Sequence, residues 1–273
     1  MDCITQASFM RGFMDLCDLS FNKGWNERNG GNVSYRIKPE EIREVTAFLN
    51  EEAPSQTIGI TAENLAGEYF LVTGSTKFFM NVKSNPFDNT CIIKIDEKGE
   101  NYKIVWGLQK GGRPTSELPT HLLNHSVKKH CTNGAHRVIM HAHPANIIAL
   151  TFILPLDGKV FTQEIWQMMT ECPIVFPAGI GVVEWMVPGG PEVAKATAEL
   201  IQKQDVVIWA HHGIFCSGED FDLTFGLMDT VEKAAEILVK VISCGGKRQS
   251  IGAKEILSLA EPYSVPIDAE MFS

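Results

Sequence analysis

An α/β fold in a single domain over residues 1–273 is the expectation, and three observations carry it. Short β-branched runs alternate with stretches of helical period along the chain. No repeat, low-complexity tract or linker breaks that alternation. The 273 residues, 44% of them hydrophobic, are enough for one substantial core.

Taken in order, the first helix is expected over residues 4–21, where Phe9, Phe13, Met14 and Cys17 recur at helical spacing. Residues 24–32 form a loop rich in Asn and Gly. Such residues tolerate positive φ and expose N–H groups, so the loop suits either a plain hairpin turn or an anion-binding nest. Residues 33–37 read as a strand and 40–51 as a surface helix. The strand Tyr69-Phe70-Leu71-Val72 feeds Thr73-Gly74-Ser75-Thr76-Lys77. A glycine between hydroxyls after a strand suits phosphate, although the Walker pattern is absent. Residues 91–95 and 102–106 form a hairpin about Lys98-Gly99. Thr115 or Ser116 caps a helix running to about residue 130, with Pro119 in its first turn. Glu117 then stands at the helix start, where the dipole favours negative charge.

The most informative stretch follows. A β-branched strand from Arg137 ends in His141 and His143, before Pro144 stops it. Side chains alternate along a strand, so the two imidazoles share a face and make a pair of ligands for zinc or a similar metal. The plain alternative is two polar residues leaving a core strand. Helices are expected over residues 145–154 and 162–169, the second capped by Thr162. A strand is expected at 174–176, a Gly-rich turning segment at 177–188, a helix at 191–204 and a strand at 206–210. That last strand ends in His211-His212-Gly213. Neighbours on a strand face opposite ways, so only one of the two histidines can join His141 and His143. Three histidines leave a coordination position open, which is the catalytic arrangement of zinc.

A competing pair, His121 and His125, lies at i, i+4 on the helix after Glu117. Leu122 stands where a His-Glu-x-x-His motif needs its glutamate, so a solvated helix face is expected there. Residues 221–242 give the clearest helix, with Phe221, Phe225, Met228, Val231, Ala235, Leu238 and Ile242 on its inner stripe. A short helix is expected at 254–259 and a loose tail beyond Pro262.

Composition narrows the function. A formal charge of −9 and a pI of about 5.4 argue against non-specific binding to nucleic acid or acidic membranes. Seven scattered cysteines with no Cys-x-x-Cys fit reduced thiols in the cytoplasm. The start of the chain lacks a signal pattern, and the longest apolar run, near residues 147–156, is too short to span a bilayer.

Asn29-Gly30-Gly31-Asn32, Thr73-Gly74-Ser75, Thr115-Ser116-Glu117, His141-Ala142-His143 and His212-Gly213 occur in that order. Together they resemble the class II, zinc-dependent sugar-phosphate aldolase family, which also holds a 4-epimerase and the adducin head domain. The longer runs VTGSTKFFMNV, RPTSELPTHLL and VIMHAHPANIIALTFIL narrow the resemblance to its aldolases acting on ketose 1-phosphates. The resemblance implies a three-layer α/β/α sandwich around a mostly antiparallel sheet. It implies a homotetramer with sites near subunit interfaces. One zinc ion per subunit would sit on His141, His143 and His212, with Glu117 an added ligand at rest. Asn29, Gly31, Asn32, Ser75, Thr115 and Ser116 would hold the substrate phosphate. Cleavage between C3 and C4 would pass through a zinc-stabilised enediolate, with Glu117 moving the proton at C3. Glu171 matches a carboxylate that reaches a neighbouring subunit's site, near the aldehyde half. The alternatives within the family are an aldolase or 4-epimerase for another sugar phosphate, and a non-catalytic adducin-like interaction module.

Overall fold

The apolar runs pair into one nine-stranded sheet in the computed structural model, which describes residues 3–108 and 111–272. The strands are β1 (Asn32–Arg36), β2 (Ser55–Thr57), β3 (Tyr69–Thr73), β4 (Thr90–Ile95) and β5 (Asn101–Gly107). They continue with β6 (Val138–Ala142), β7 (Ile180–Val183), β8 (Val206–Trp209) and β9 (Gly213–Gly218). Their order across the sheet is β2-β5-β4-β3-β1-β6-β9-β8-β7. β7 and β8 run parallel, and the other neighbours are antiparallel.

The helices are α1 (Ser8–Asn22), α2 (Pro39–Val45), α3 (Phe79–Val82), α4 (Pro86–Asn89), α5 (Leu118–Cys131) and α6 (Ala145–Leu150). After these come α7 (Gly158–Trp166), α8 (Cys172–Val175), α9 (Pro191–Ile201), α10 (Phe221–Ser243), α11 (Ala253–Leu257) and α12 (Ala260–Tyr263).

Strand alternation sorts the core into two faces. Val33 and Tyr35 of β1 and Val138 and Met140 of β6 join one large cluster with Phe13 of α1, Ile147 of α6, Phe161 of α7 and Met228 of α10. Opposite-facing residues of β3 and β4, such as Phe70 and Ile93, pack on Leu118 and Leu122 of α5. Ile139, Val207 and Phe215 pack on Val193 and Ile201 of α9. The sheet is therefore covered on both sides, as the resemblance implied. α10 matches the periodic stripe closely, and Asp220 caps it by accepting from the Leu223 N–H at 2.8 Å.

Four expectations need correction. The helix expected at 162–169 is α7, which begins four residues earlier under an Asp157 cap. Thr162 lies inside it, donating to the Gly158 carbonyl at 2.7 Å and accepting from the Ile180 N–H at 2.9 Å, so it pins α7 to β7. Residues 174–176 do not form a strand. Pro173 opens α8 instead, and the strand is β7, inside the Gly-rich segment. A three-residue apolar run cannot distinguish a buried strand from a buried helical turn, whereas a proline in the first turn is preset for the helix. The expected surface helix at 40–51 ends early as α2, with a 3₁₀ turn at Thr46–Phe48 after it. The tail is docked rather than loose: Met271 and Phe272 pack on the core, and the Gln163 amide donates to the Met271 carbonyl.

Candidate metal centre and active site

The site forms where β1 begins and β6 ends. The register sets Asn32 beside His141 and Ser34 beside Ile139. Asn32, Ser34 and His141 therefore point to the face covered by α5. The β8–β9 turn delivers His212 to the same edge, because β9 is the other neighbour of β6.

His141, His143 and His212 each offer a ring nitrogen, and these atoms lie within 4.8 Å of one another. Of His211 and His212, the structure selects His212. The two lie in a turn, not on a strand as expected. His211 adopts φ +60°, packs at a tilt against Phe152 with ring centroids 4.2 Å apart, and pairs with the Thr151 hydroxyl. Gly213 is required beside them. A Cβ there would meet the Ala142 carbonyl oxygen at 2.4 Å and His141 Cε1 at 3.0 Å.

The surrounding bonds fix the tautomers. His141 Nδ1 donates to the Ile214 carbonyl at 3.0 Å, which leaves Nε2 as a bare lone pair. His143 Nδ1 donates to Glu27 at 2.8 Å, which does the same. The two Nε2 atoms face each other at 3.3 Å. When both rings are singly protonated, no proton lies between these atoms, two lone pairs at that distance repel, and a shared cation removes the repulsion. His212 adds a buried Nδ1 that has no partner among the described residues. Burial, followed by the neighbouring histidines, holds His141 well below the usual histidine range, and burial pushes His212 down to about 4. Both are therefore neutral near pH 7, the form that ligates metal. The donor set fits a borderline ion with a strong imidazole preference.

Glu117 is buried at the N-cap of α5, with Oε2 3.7 Å from His141 Nε2. Its carboxylate does not cap the helix. It accepts from the Asn32 side-chain amide at 2.9 Å, while Thr115 Oγ1 accepts from the Glu117 N–H at 3.3 Å. Burial pushes the Glu117 carboxyl up, and the Asn32 hydrogen bond and His143 oppose that shift.

A cavity of about 190 Å³ joins these parts, lined by Asn29, Gly31, Asn32, Ser75, Thr115, Ser116, Glu117 and the three histidines. The expected residues thus converge from five separate stretches. Gly31 holds φ +74°, and a Cβ there would meet the His141 carbonyl oxygen at 2.7 Å. The main-chain N–H groups of Gly74 and Ser75 are already bonded, to Asn89 and Arg113 carbonyls at 2.8 Å. Ser75 therefore offers the cavity its hydroxyl rather than its N–H. Beside the cavity lies a groove of about 490 Å³ that shares Ser75 and Thr76 and adds Lys77 and Arg113.

Glu171 does not join this cavity; it is exposed at the start of α8. Sequence reasoning missed Glu27, whose only signal was its place in the Asn/Gly loop. It also misjudged His121 and His125, which are fully buried rather than solvated.

The chain belongs to the class II aldolase and adducin N-terminal domain family, whose model matches residues 11–239. It is similar to the rhamnulose-1-phosphate aldolase of Mannheimia succiniciproducens, 49% identical over 271 residues that span 98% of this chain and 99% of that one. The rhamnulose-1-phosphate aldolase of Pectobacterium atrosepticum is 42% identical over 99% of both chains. Among solved structures, a sugar-phosphate aldolase from Thermotoga maritima superposes with a TM-score of 0.73 at 29% identity, covering 88% of this chain and 97% of its own.

Proposed function

We propose that the chain is a zinc-dependent lyase that reversibly cleaves L-rhamnulose 1-phosphate to dihydroxyacetone phosphate and L-lactaldehyde. The carrying observation is the convergence of three histidine ring nitrogens within 4.8 Å of one another next to a buried carboxylate. His141, His143 and His212 hold the metal, one per subunit. When bound there, zinc supplies Lewis acidity toward the negative charge that builds on the sugar oxygens as C3–C4 breaks. Glu117 moves the proton at C3, and its burial raises the affinity of the carboxyl for a proton. Asn29, Gly31, Asn32, Ser75, Thr115 and Ser116 bind the phosphate. Lys77 and Arg113 at the adjoining groove help draw an anion toward an acidic protein.

The same reading places the enzyme in the cytoplasm, in rhamnose degradation, as one domain assembled into a homotetramer. Exposed apolar side chains support assembly: Phe152, Trp185 and Val187 are 71%, 62% and 69% exposed in the lone chain. Glu171, exposed and outside its own cavity, would then serve the aldehyde half of a neighbouring site. The rival reading as an adducin-like interaction module gives no role to the histidine triad and Glu117.

The test is release of dihydroxyacetone phosphate from a panel of ketose 1-phosphates. L-Rhamnulose 1-phosphate should be cleaved with the highest kcat/KM, and a clear preference for L-fuculose 1-phosphate would replace this substrate assignment. The phosphate contacts have their own test. Asn29→Ala and Ser75→Ala should each lower kcat/KM roughly 10- to 150-fold, the worth of one hydrogen bond to a charged group. Zinc content should stay unchanged. Equal losses on phosphorylated and unphosphorylated ketoses would remove both residues from the phosphate site.

A further inference from the structure

Behind the cavity wall, two side chains of β1 interleave with two of α5. Asn32 and Ser34 are two apart on the strand and so share a face. His121 and His125 are four apart on the helix and so share a face as well. His121 Nε2 pairs with Asn32 Oδ1, and its Nδ1 lies 2.6 Å from Ser34 Oγ. Ser34 Oγ lies 2.8 Å from His125 Nε2. Asn32 Nδ2 reaches Glu117 at 2.9 Å. Asn32, Ser34, His121 and His125 are all buried, so water does not compete for these bonds.

The proton positions along this chain are determined from one end. The ionised Glu117 carboxylate only accepts, so Asn32 turns its NH₂ toward Glu117 and its carbonyl toward His121. His121 Nε2 must then carry the proton. Burial pushes His121 down to about 3, so the ring is neutral and Nδ1 is an acceptor. The Ser34 hydroxyl donates to that Nδ1 and in turn accepts from His125 Nε2–H. His125 Nδ1 is left as a lone pair with no partner among the described residues.

The reversed chain is worse at both ends. It would turn the Asn32 carbonyl against the Glu117 carboxylate. It would also move the last proton to His125 Nδ1, creating a buried N–H with nothing to accept it. A buried unsatisfied donor costs more than a buried idle lone pair, because carbonyl and imine acceptors are left partly unused far more often than N–H groups are left unbonded.

We propose that His121, set by Ser34 and His125, is a positioning residue that locks the Asn32 amide with its NH₂ toward Glu117 and thereby holds the Glu117 carboxylate in its working orientation. His121 touches neither substrate nor metal in this role. The inference rests on the reading of Glu117 as the group that moves the proton at C3.

Two measurements separate the inference from that reading. The first needs no substrate. Nitrogen-15 spectra of imidazole-labelled protein, with the His121 signals assigned by their loss in His121→Gln, should show a neutral ring protonated at Nε2 near pH 7. Protonation at Nδ1 would overturn the polarity and the proposal with it. The second uses kinetics on zinc-loaded protein. His121→Gln keeps a donor near the Nε2 position and should retain kcat within a few-fold. His121→Leu removes the donor and should lower kcat, and proton exchange at dihydroxyacetone phosphate, by roughly 10- to 100-fold, with normal zinc content. Ser34→Ala serves if the Leu variant does not fold. It frees the His121 tautomer and should also lower kcat, while leaving every ligand in place. Equal activity of the Gln and Leu variants, or equal loss in both, would reduce the cluster to packing. If wild-type protein cleaves no ketose 1-phosphate, the functional reading fails, and the nitrogen spectra still decide the polarity.

Discussion

His141→Ala should strip the protein of metal and of cleavage activity together. His141 is buried at the centre of the triad, stacked on Phe215 with ring centroids 4.3 Å apart and held by the Ile214 carbonyl. Its loss removes one ligand of three and leaves two half-buried imidazoles without a shared partner. Losing Lewis-acid stabilisation worth several kcal/mol lowers the rate by roughly 10³-fold or more. His143→Ala and His212→Ala should behave alike. Purified wild-type protein should carry close to one zinc per chain by elemental analysis, and His211→Ala should match it. His211 faces Phe152 and Thr151, so its removal disturbs no ligand. Full zinc retention by His212→Ala would break the triad assignment.

Much of this centre was legible in the residues because strand geometry is simple. Two histidines at i, i+2 before Pro144 must share a face, and the structure puts them side by side. The choice between His211 and His212 could not come from alternation. Both lie in a turn, and the left-handed φ of His211 turns it away, a fact that only the closed β8–β9 connection determines. Glu117 was visible as a helix-start carboxylate, yet its structural partner is Asn32, not the helix N-terminus. That partner sits on a strand far earlier in the chain, and the pairing of β1 with β6 brings it in.

The burial of His121 and His125 shows where local pattern fails. Polar residues beside Leu118 and Leu122 read as a solvated stripe, because hydropathy prices an imidazole as if it had no partner. Ser34 supplies that partner from the facing strand, and only the packing of α5 on the sheet reveals it. The α8 region fails for a different reason. Its apolar run is too short to carry a period, so Pro173 was the better guide.

Glu117→Ser should keep zinc and lose proton transfer. The three histidine ligand atoms lie within 4.8 Å of one another without any help from Glu117, and the carboxylate lies 3.7 Å from His141 Nε2, next to the triad rather than at its centre. A positioned general base contributes about 10²–10⁴ in rate, so cleavage should fall by at least that range. Serine also abandons the buried Asn32 amide, whose unsatisfied N–H costs about 1–3 kcal/mol of stability. Glu117→Gln removes that ambiguity: its carbonyl still accepts from Asn32, yet it cannot take a proton. Both variants should lose activity, with the Gln variant closer to wild type in thermal stability. The direct observable is exchange of one carbon-bound proton of dihydroxyacetone phosphate with deuterated water, with no aldehyde present. Wild type should catalyse it and the zinc-loaded Glu117 variants should not. Glu171→Ala supplies the contrast, because its exposed carboxylate lies outside this chain's own cavity. It should keep the exchange and lose condensation with lactaldehyde. Normal exchange in zinc-loaded Glu117→Gln would take the proton away from Glu117, and Glu171 would become the carboxylate to test.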